Sequence, residues 1–250
     1  MIDREVRILF RKEWRQLIAG KSALLTGAIL PLVLLGLVPM VMSAAARVPP
    51  HASGRPLPPS MQIGMLGDIS DDPRHIAGSL LPIFVAIVGM VLPTMMASYL
   101  LITEREKRTL ELLVALPVRI EQVMIAKLLA TLAASSMMSV PMLILDIVLL
   151  PSMGAASYEQ VAGLPILLLA GLCLSTSIAL LMSLLAKDFR TANNIGGALL
   201  APTIILTLIG GFLLPGGVIR PLGISVVYAI VAFFVMRHAL RTVTFERLLS

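Results

Sequence analysis

The chain has 250 residues, of which 58% are hydrophobic, 14% are charged and only 4% are aromatic, and its mean hydropathy is +0.95. About a quarter of the residues of an ordinary soluble domain are charged, so this composition excludes a water-soluble globular protein and predicts a multi-pass membrane protein. The single cysteine, Cys173, excludes a disulfide framework within the chain.

Six apolar runs lie along the chain, each close to the ~20 residues that a helix needs to cross a bilayer. The last run has the weakest start, because Arg220 and Pro221 interrupt it. Residues 43–78, rich in Pro, Gly and Ser, form the one long connecting loop and are expected to lie on the extracytoplasmic side of the membrane. The sequence therefore predicts an all-α integral membrane protein with a single transmembrane domain over residues 1–250. The six predicted spans are residues 22–42, 79–102, 125–150, 161–185, 194–214 and 218–236.

Residues 1–21 precede the first run and predict an amphipathic interfacial helix. Apolar positions recur every three or four residues between Ile2 and Ile18, and basic residues fill the opposite face. Such a helix lies along the membrane surface with Trp14 at headgroup depth, either as an anchor or as a lever leading into the first span. A cleavable signal peptide is the competing interpretation, since small residues follow at 43–46. The first apolar run is longer than the roughly 7–15 residues of a signal h-region, which favours a span.

A densely charged segment, residues 103–117, separates the second and third runs and predicts a short amphipathic helix at the membrane surface. Thr103 and Glu106 fit a capping box that would start this helix, and Pro117 would stop it. A solvated charged loop is the alternative interpretation. The predicted apolar face, opposite the charges, consists of Leu110, Leu113 and Val114.

The distribution of Lys and Arg predicts the orientation of the chain. Sixteen of the 20 basic residues lie in segments on one side of the predicted membrane, and the other four are Arg47, Arg55, Arg74 and Arg220. The positive-inside rule places the side with sixteen, which holds both termini and residues 103–117, in the cytoplasm. The net charge of +6 is therefore a topology signal and does not predict nucleic-acid binding.

Few polar residues lie in the predicted spans, so each is a candidate for a functional role. Small residues at four-residue spacing in span five permit close helix approach, either within the chain or between two chains. Asp146 is the one acid placed inside a span, and an intramembrane carboxylate is a functional candidate; its position near the end of span three would also let it reach the headgroups. The candidate pathway or dimer-interface residues are Thr94, Ser98, Asn193, Asn194, Gly196, Gly197 and Thr203.

The sequence contains no motif that predicts catalysis or metal binding. Gly20-Lys21-Ser22 resembles the end of a phosphate-binding loop, but the position that needs an earlier glycine is Arg15. The three histidines are scattered without metal-ligand spacing. Ser175 and Ser177 have no histidine in any predicted span to activate them, which favours a helix-packing role. We expect no catalytic residue, no metal site and no cofactor bound by this chain.

The charged segment resembles the signature of ABC-2 type transporter permeases. Those proteins carry an E-R-E-x-G-T-L-E-x-L-L-x-x-P pattern after their second span and a Lys at the start of the third. The corresponding residues here are Glu104 through Leu113, followed by Leu116-Pro117 and then Lys127. Arg108 stands where the family usually has Gly. The six spans, the N-terminal helix and the cytoplasmic ends also agree, so the resemblance covers most of the chain.

The resemblance implies a permease subunit of the cell membrane that exports a substrate. It would work as a dimer, with a second copy or a similar paralogue, docked on a separate cytoplasmic ATPase that holds ATP and Mg²⁺. Residues 103–117 would be the coupling helix, and spans two and five would line the path. The sparse polar residues there favour a lipidic or amphipathic substrate in contact with membrane lipid. The residues that would contact the ATPase are Glu104, Glu106, Lys107, Thr109, Leu110, Glu111, Leu113 and Pro117.

Two other functions fit the sequence. The first is a mechanical transmitter, in which the same ATPase-coupled dimer moves no solute and instead acts on an extracytoplasmic partner. The second is an ATP-independent secondary carrier, a class that usually needs buried ion-coupling acids. Asp146 alone is thin support for the carrier, which would be favoured if function were insensitive to loss of any ATPase.

Overall fold

A computed structural model of the chain describes residues 4–19, 21–45, 76–106, 120–185 and 189–242. The regular secondary structure in these ranges is entirely helical. Five of the described helices are long and apolar enough to cross a membrane, by length and composition. The described part of the chain is therefore a bundle of long apolar helices, as the composition predicts.

The helices are numbered here in chain order. The long helices overlap the predicted spans, and α4 and α5 extend beyond them at both ends. The helices are α1 (Arg4–Ala19), α2 (Lys21–Pro31), a π-helical segment (Leu32–Leu37), α3 (Val38–Ala45), α4 (Ile76–Glu106), α5 (Ile120–Ser152), α6 (Tyr158–Ala162), α7 (Leu164–Leu185), α8 (Phe189–Leu213) and α9 (Ile219–Thr242).

The core of the bundle is built around α7, which packs along α4 on one side and along α9 on the other. Its leucines and isoleucines interlock with those of α4, and Tyr228 of α9 is fully covered. The apolar stretches of α4 and α7 are about two-thirds buried, whereas those of α5, α8 and α9 expose most of their surface. A helix that is apolar all round and half-exposed is suited to a lipid environment.

The first predicted span is a helical run with a π-helical interior. Pro31 and Pro39 bracket the segment Leu32–Leu37, and the Val38 N–H donates to the Val33 carbonyl. Pro39 has no N–H to donate and its ring crowds the preceding turn, and the wider π turn accommodates that ring. The apolar stretch Gly27–Val41 within this run is shorter than the five spanning candidates. Its status as a sixth span is a proposal.

The N-terminal helix α1 packs against the bundle. Leu17 is fully buried beside Ala130 and Ala134 of α5, and Phe10 stacks on Trp14 with ring centroids 6.1 Å apart. Part of the apolar side therefore faces α5 and α4 instead of the bilayer. The described basic side chains of α1 are exposed, as the sequence predicts; they are Arg7, Arg11, Lys12 and Arg15.

The prediction that Thr103 caps the start of a new helix is wrong. Helix α4 continues without a break from Ile76 to Glu106. Neither Gly nor Pro separates span two from Thr103 in the sequence, so nothing forces the helix to end there. The rest of the predicted coupling helix lies outside the described residues, as does most of the loop predicted at 43–78.

The start of the last span is better formed than the sequence predicts. Helix α9 begins at Ile219 and includes both Arg220 and Pro221 in its first turn, where a missing backbone N–H costs nothing. A short turn joins it to α8, with Gly217 at a φ of 75°, a conformation that glycine adopts without steric strain. The connection between α8 and α9 is thus tight.

Candidate functional site

The predicted ATPase-contact residues fall at the edge of the described structure. Glu104 and Glu106 lie on the last turn of α4. Lys107, Thr109, Leu110, Glu111, Leu113 and Pro117 lie outside the described residues, so their role as a contact surface stays a prediction.

Two glycines let α4 and α7 touch backbone to backbone. A Cβ built on Gly171 would lie 3.2 Å from the Gly89 Cα, and one built on Gly89 would lie 3.2 Å from the Leu168 carbonyl oxygen. Backbone atoms cannot move aside as a flexible side chain can, so glycine is required at this crossing. The contact holds α4 and α7 together as one unit.

One turn along α4, a hydroxyl pair strengthens the same contact. The Ser175 hydroxyl of α7 donates to the Met90 carbonyl oxygen, and it can then accept from Thr94 Oγ1, which lies 2.6 Å from Ser175 Oγ. Ser177 donates to the Cys173 carbonyl at 2.8 Å. Both serines thus satisfy helix backbone groups, which supports the packing role predicted for them. Thr94 faces the interior of its own protomer, between α4 and α7.

The candidate residues of α8 divide between two faces. Gly196 is buried, and a Cβ there would lie 3.0 Å from Met182 of α7 and 3.6 Å from Thr94. Thr203 is also buried and donates to the Leu199 carbonyl at 2.7 Å. Asn194 and Gly197 are exposed, and a Cβ on Gly197 would meet nothing within 4 Å. The side chains of Ser98 and Asn193 lie outside the described residues.

The outward face of α8 is a continuous exposed stripe. Its members recur every three or four residues, the spacing of one helix face. Across the helix, Thr207 faces inward and forms a hydrogen bond with Tyr228 of α9. The stripe consists of Asn194, Gly197, Ala201, Ile205, Leu208 and Phe212.

Arg220 is a buried cation that the sequence interpretation missed. It is 2% exposed and donates to the Leu214 carbonyl through Nε (3.3 Å) and Nη2 (3.2 Å), and to the Ser79 carbonyl through Nη1 (3.3 Å). The last carbonyls of a helix have no partner within it, and Leu214 directly follows α8. The sequence did contain a signal for this contact: Arg220 lies just beyond the turn that follows α8, and basic residues near a helix C-terminus can bond to its last carbonyls.

Asp146 of α5 lines a groove between α5 and the π-helical segment. The groove has a volume of about 330 Å³, and Leu35, Gly36 and Met40 form its opposite wall. Asp146 is only 6% exposed, and within the described part of the chain its Oδ2 has no hydrogen-bond partner. Asp146 is thus covered by protein, whereas the alternative interpretation had its carboxylate reaching the lipid headgroups.

These features together define a class of protein. Five long apolar helices, a core held by glycine contacts and intrahelical hydroxyl bonds, and exposed faces that are apolar make this a multi-pass helical membrane protein. The family model of the ABC-2 type transporter matches residues 4–245, nearly the whole chain. The chain therefore belongs to the ABC-2 type transporter family, as the resemblance indicated, and is a transmembrane permease component. No curated protein and no solved structure matches it.

Proposed function

We propose that this chain is the permease subunit of an ABC exporter of the cell membrane. A separate cytoplasmic ATPase subunit binds ATP and Mg²⁺ and drives the export of a lipidic or amphipathic substrate. The family match over residues 4–245 carries this proposal, because permeases of this family generally pair with an ABC ATPase subunit. The excess of Lys and Arg on one side supports the cytoplasmic placement of both termini.

The ATPase contacts residues 103–117 in this proposal. Glu104 and Glu106 lie at the end of α4, and α4 is packed along α7 over much of its length. A contact at this helix end is mechanically coupled to the core of the bundle. The charged residues that follow supply a surface for ion pairs with a partner, and the interleaved leucines supply an apolar underside.

A second copy of the chain, or a similar paralogue, covers the stripe on α8. The stripe is apolar except at Asn194 and has small residues at Gly197 and Ala201. Small residues permit close approach between helices in a bilayer, where dispersion contacts replace the hydrophobic effect as the driving force.

The hydrogen bonds of the interior support a lipidic substrate. The hydroxyls of Thr94, Ser175 and Thr207 are each bonded within the bundle, so they do not line a hydrophilic path. The same observation favours a second candidate, a mechanical transmitter that moves no solute. ATP-dependent movement of a labelled amphiphile by the reconstituted complex supports the exporter, and ATP hydrolysis without flux supports the transmitter.

The first test is affinity purification from native membranes in mild detergent, followed by mass spectrometry of the copurifying proteins. An ABC ATPase is expected to copurify with the parent chain. Reversing two charges, Glu104→Lys with Glu106→Lys, should remove the ATPase, because it replaces attraction with repulsion at the contact.

The matched control reverses a charge away from this segment. Glu159 is exposed on α6, so Glu159→Lys should retain the ATPase at the parent level. Absence of any ATPase, even after crosslinking, would overturn the proposed function. Retention by the double variant would overturn only the contact assigned to residues 103–117.

A further inference from the structure

The groove beside Asp146 is open to the bilayer and almost wholly apolar. Its volume of about 330 Å³ lies at the lower end of the range for small-molecule sites, roughly 300–1,000 Å³. Leu32, Leu37, Leu145 and Leu149 line it and are each more than one-third exposed. A molecule dissolved in the membrane can therefore enter sideways, without passing through the core of the bundle.

Asp146 gives this apolar groove one acidic side chain. Among the described residues that line the groove it is the only ionisable one, and its Oδ2 has no hydrogen-bond partner there. A buried carboxylate is costly unless a partner compensates its charge. It lies six residues, about 9 Å along the helix, before the end of α5 at Ser152, inside the apolar stretch Ile125–Ser152.

The described lining does not offer the ligand set that a divalent metal ion takes. Divalent cations such as Ca²⁺ and Mg²⁺ take six or more oxygen ligands, and the groove offers a single carboxylate among leucines, methionines and a glycine. No group of three His, Cys, Asp or Glu side chains comes together in the described part of the chain. A monovalent organic cation needs only one counter-charge and gains from apolar contact on its remaining surface.

The wall opposite Asp146 is shaped by the π-helical segment. π-helical turns occur frequently at functional sites, and Gly36 within this one presents backbone to the groove. Met40 and Met153 line the same space. Flexible, polarizable thioethers adapt to ligands of different shapes, which suits a site for bulky apolar bodies.

We propose that this groove binds a lipophilic organic monocation, with its charged centre beside the Asp146 carboxylate and its apolar body against Leu32, Gly36 and Leu149. The inference rests on the proposed function and deepens it, because it makes cationic amphiphiles the substrate class. Charge complementarity selects the cation, and the lateral opening supplies it from the membrane.

The test compares two ions of nearly the same shape and opposite charge. The full chain, with its copurifying subunits, is placed in phosphatidylcholine nanodiscs, and binding of radiolabelled tetraphenylphosphonium and tetraphenylborate is measured against empty nanodiscs. The parent should bind the cation saturably and the anion only at background. Asp146→Asn should weaken cation binding at least tenfold, and Glu159→Gln, which alters an exposed acid outside the groove, should leave it unchanged.

A second measurement on the unaltered chain guards against misfolding of the Asp146→Asn variant. A hydrophobic carbodiimide labels intramembrane carboxyl groups, and peptide mass spectrometry quantifies the label on Asp146. Tetraphenylphosphonium should protect Asp146 from labelling, and tetraphenylborate should not.

Three results would overturn the inference: equal binding of both ions, unchanged cation binding by a folded Asp146→Asn variant, or no protection from the carbodiimide. Competition by added phosphatidylethanolamine would also overturn it, in favour of a lipid headgroup. The ATPase copurification is a separate readout. An ATPase without cation binding refutes this inference alone, and cation binding without an ATPase refutes the proposed function alone.

Discussion

At the scale of single residues, the interior is held together by a few polar side chains and glycines that have close neighbours on the adjoining helices. Arg220 spans the end of α8 and the start of α4 through two carbonyls. Gly89 and Gly171 bring two backbones together. Each has a specific contact to lose, so each gives a measurable effect on stability when it is changed.

Replacing Gly171 with alanine should destabilise the bundle. The new Cβ would lie 3.2 Å from the Gly89 Cα, and overpacking of this kind costs about 1–3 kcal/mol. The thermal unfolding midpoint of the purified protein in detergent should therefore fall.

The matched control is Gly210→Ala, whose new methyl group would lie 3.4 Å from the nearest Ile224 side-chain atom, an ordinary van der Waals distance. Its midpoint should be equal to or slightly above the parent value, since alanine favours the helix. Equal midpoints for the two variants would mean that α4 and α7 are not in backbone contact.

Replacing Arg220 with methionine should also destabilise the protein. The change keeps an unbranched apolar stem but leaves the Leu214 and Ser79 carbonyls without their guanidinium donor. Unsatisfied buried groups cost about 1–3 kcal/mol each, so the midpoint should fall by several degrees. Arg237→Met removes an exposed arginine from the same helix and should have little effect. A similar loss in both variants would contradict the structural role of Arg220.

At the scale of elements, the sequence predicted the long helices well and their details poorly. Hydropathy over ~20 residues is a strong signal, and the helices Ile76–Glu106 and Phe189–Leu213 cover the predicted spans two and five. The π-helical segment has no periodic signature of its own. The end of α4 was predicted too early, because the pattern at Thr103 was interpreted as a helix start although no Gly or Pro ends the preceding helix before it.

The candidate site shows the same division. Asp146 was singled out as a candidate because an acid inside an apolar run is conspicuous in any sequence. The contact between Gly89 and Gly171 was missed, since the two positions are far apart in the chain and neither has a local motif. Arg220 was missed for a different reason: hydropathy treats an arginine near a span end as a loop marker, although its side chain can turn inward to cap a neighbouring helix.

The two faces of α8 lead to a prediction about association. In a Cys173→Ala background, Gly197→Cys should give a crosslinked dimer with a short bifunctional maleimide in native membranes, because Gly197 lies on the exposed stripe. Thr203→Cys places a thiol on the buried side of the same helix and should give none. If Gly197→Cys and Asn194→Cys both give only monomers, the stripe faces lipid and is not a dimer interface.

At the scale of the whole molecule, the helices differ in how firmly they are held. α4 and α7 are mostly buried and joined by backbone contact, a hydroxyl pair and shared core side chains. The π-helical first run, α5 and α8 are bound through fewer contacts and expose much of their surface. Elements with few buried contacts are the ones that rearrange at lowest cost.

The glycine crossing between α4 and α7 has a consequence for how motion can travel. No side chains lie between the two backbones at this crossing, so a displacement of the last turn of α4 that reaches it cannot be absorbed by side-chain repacking. Such a displacement moves α7 as well, and α9 with it. We therefore expect the pair to move as one body and a gap between helices to open beside it, where α5 and α8 are less deeply buried.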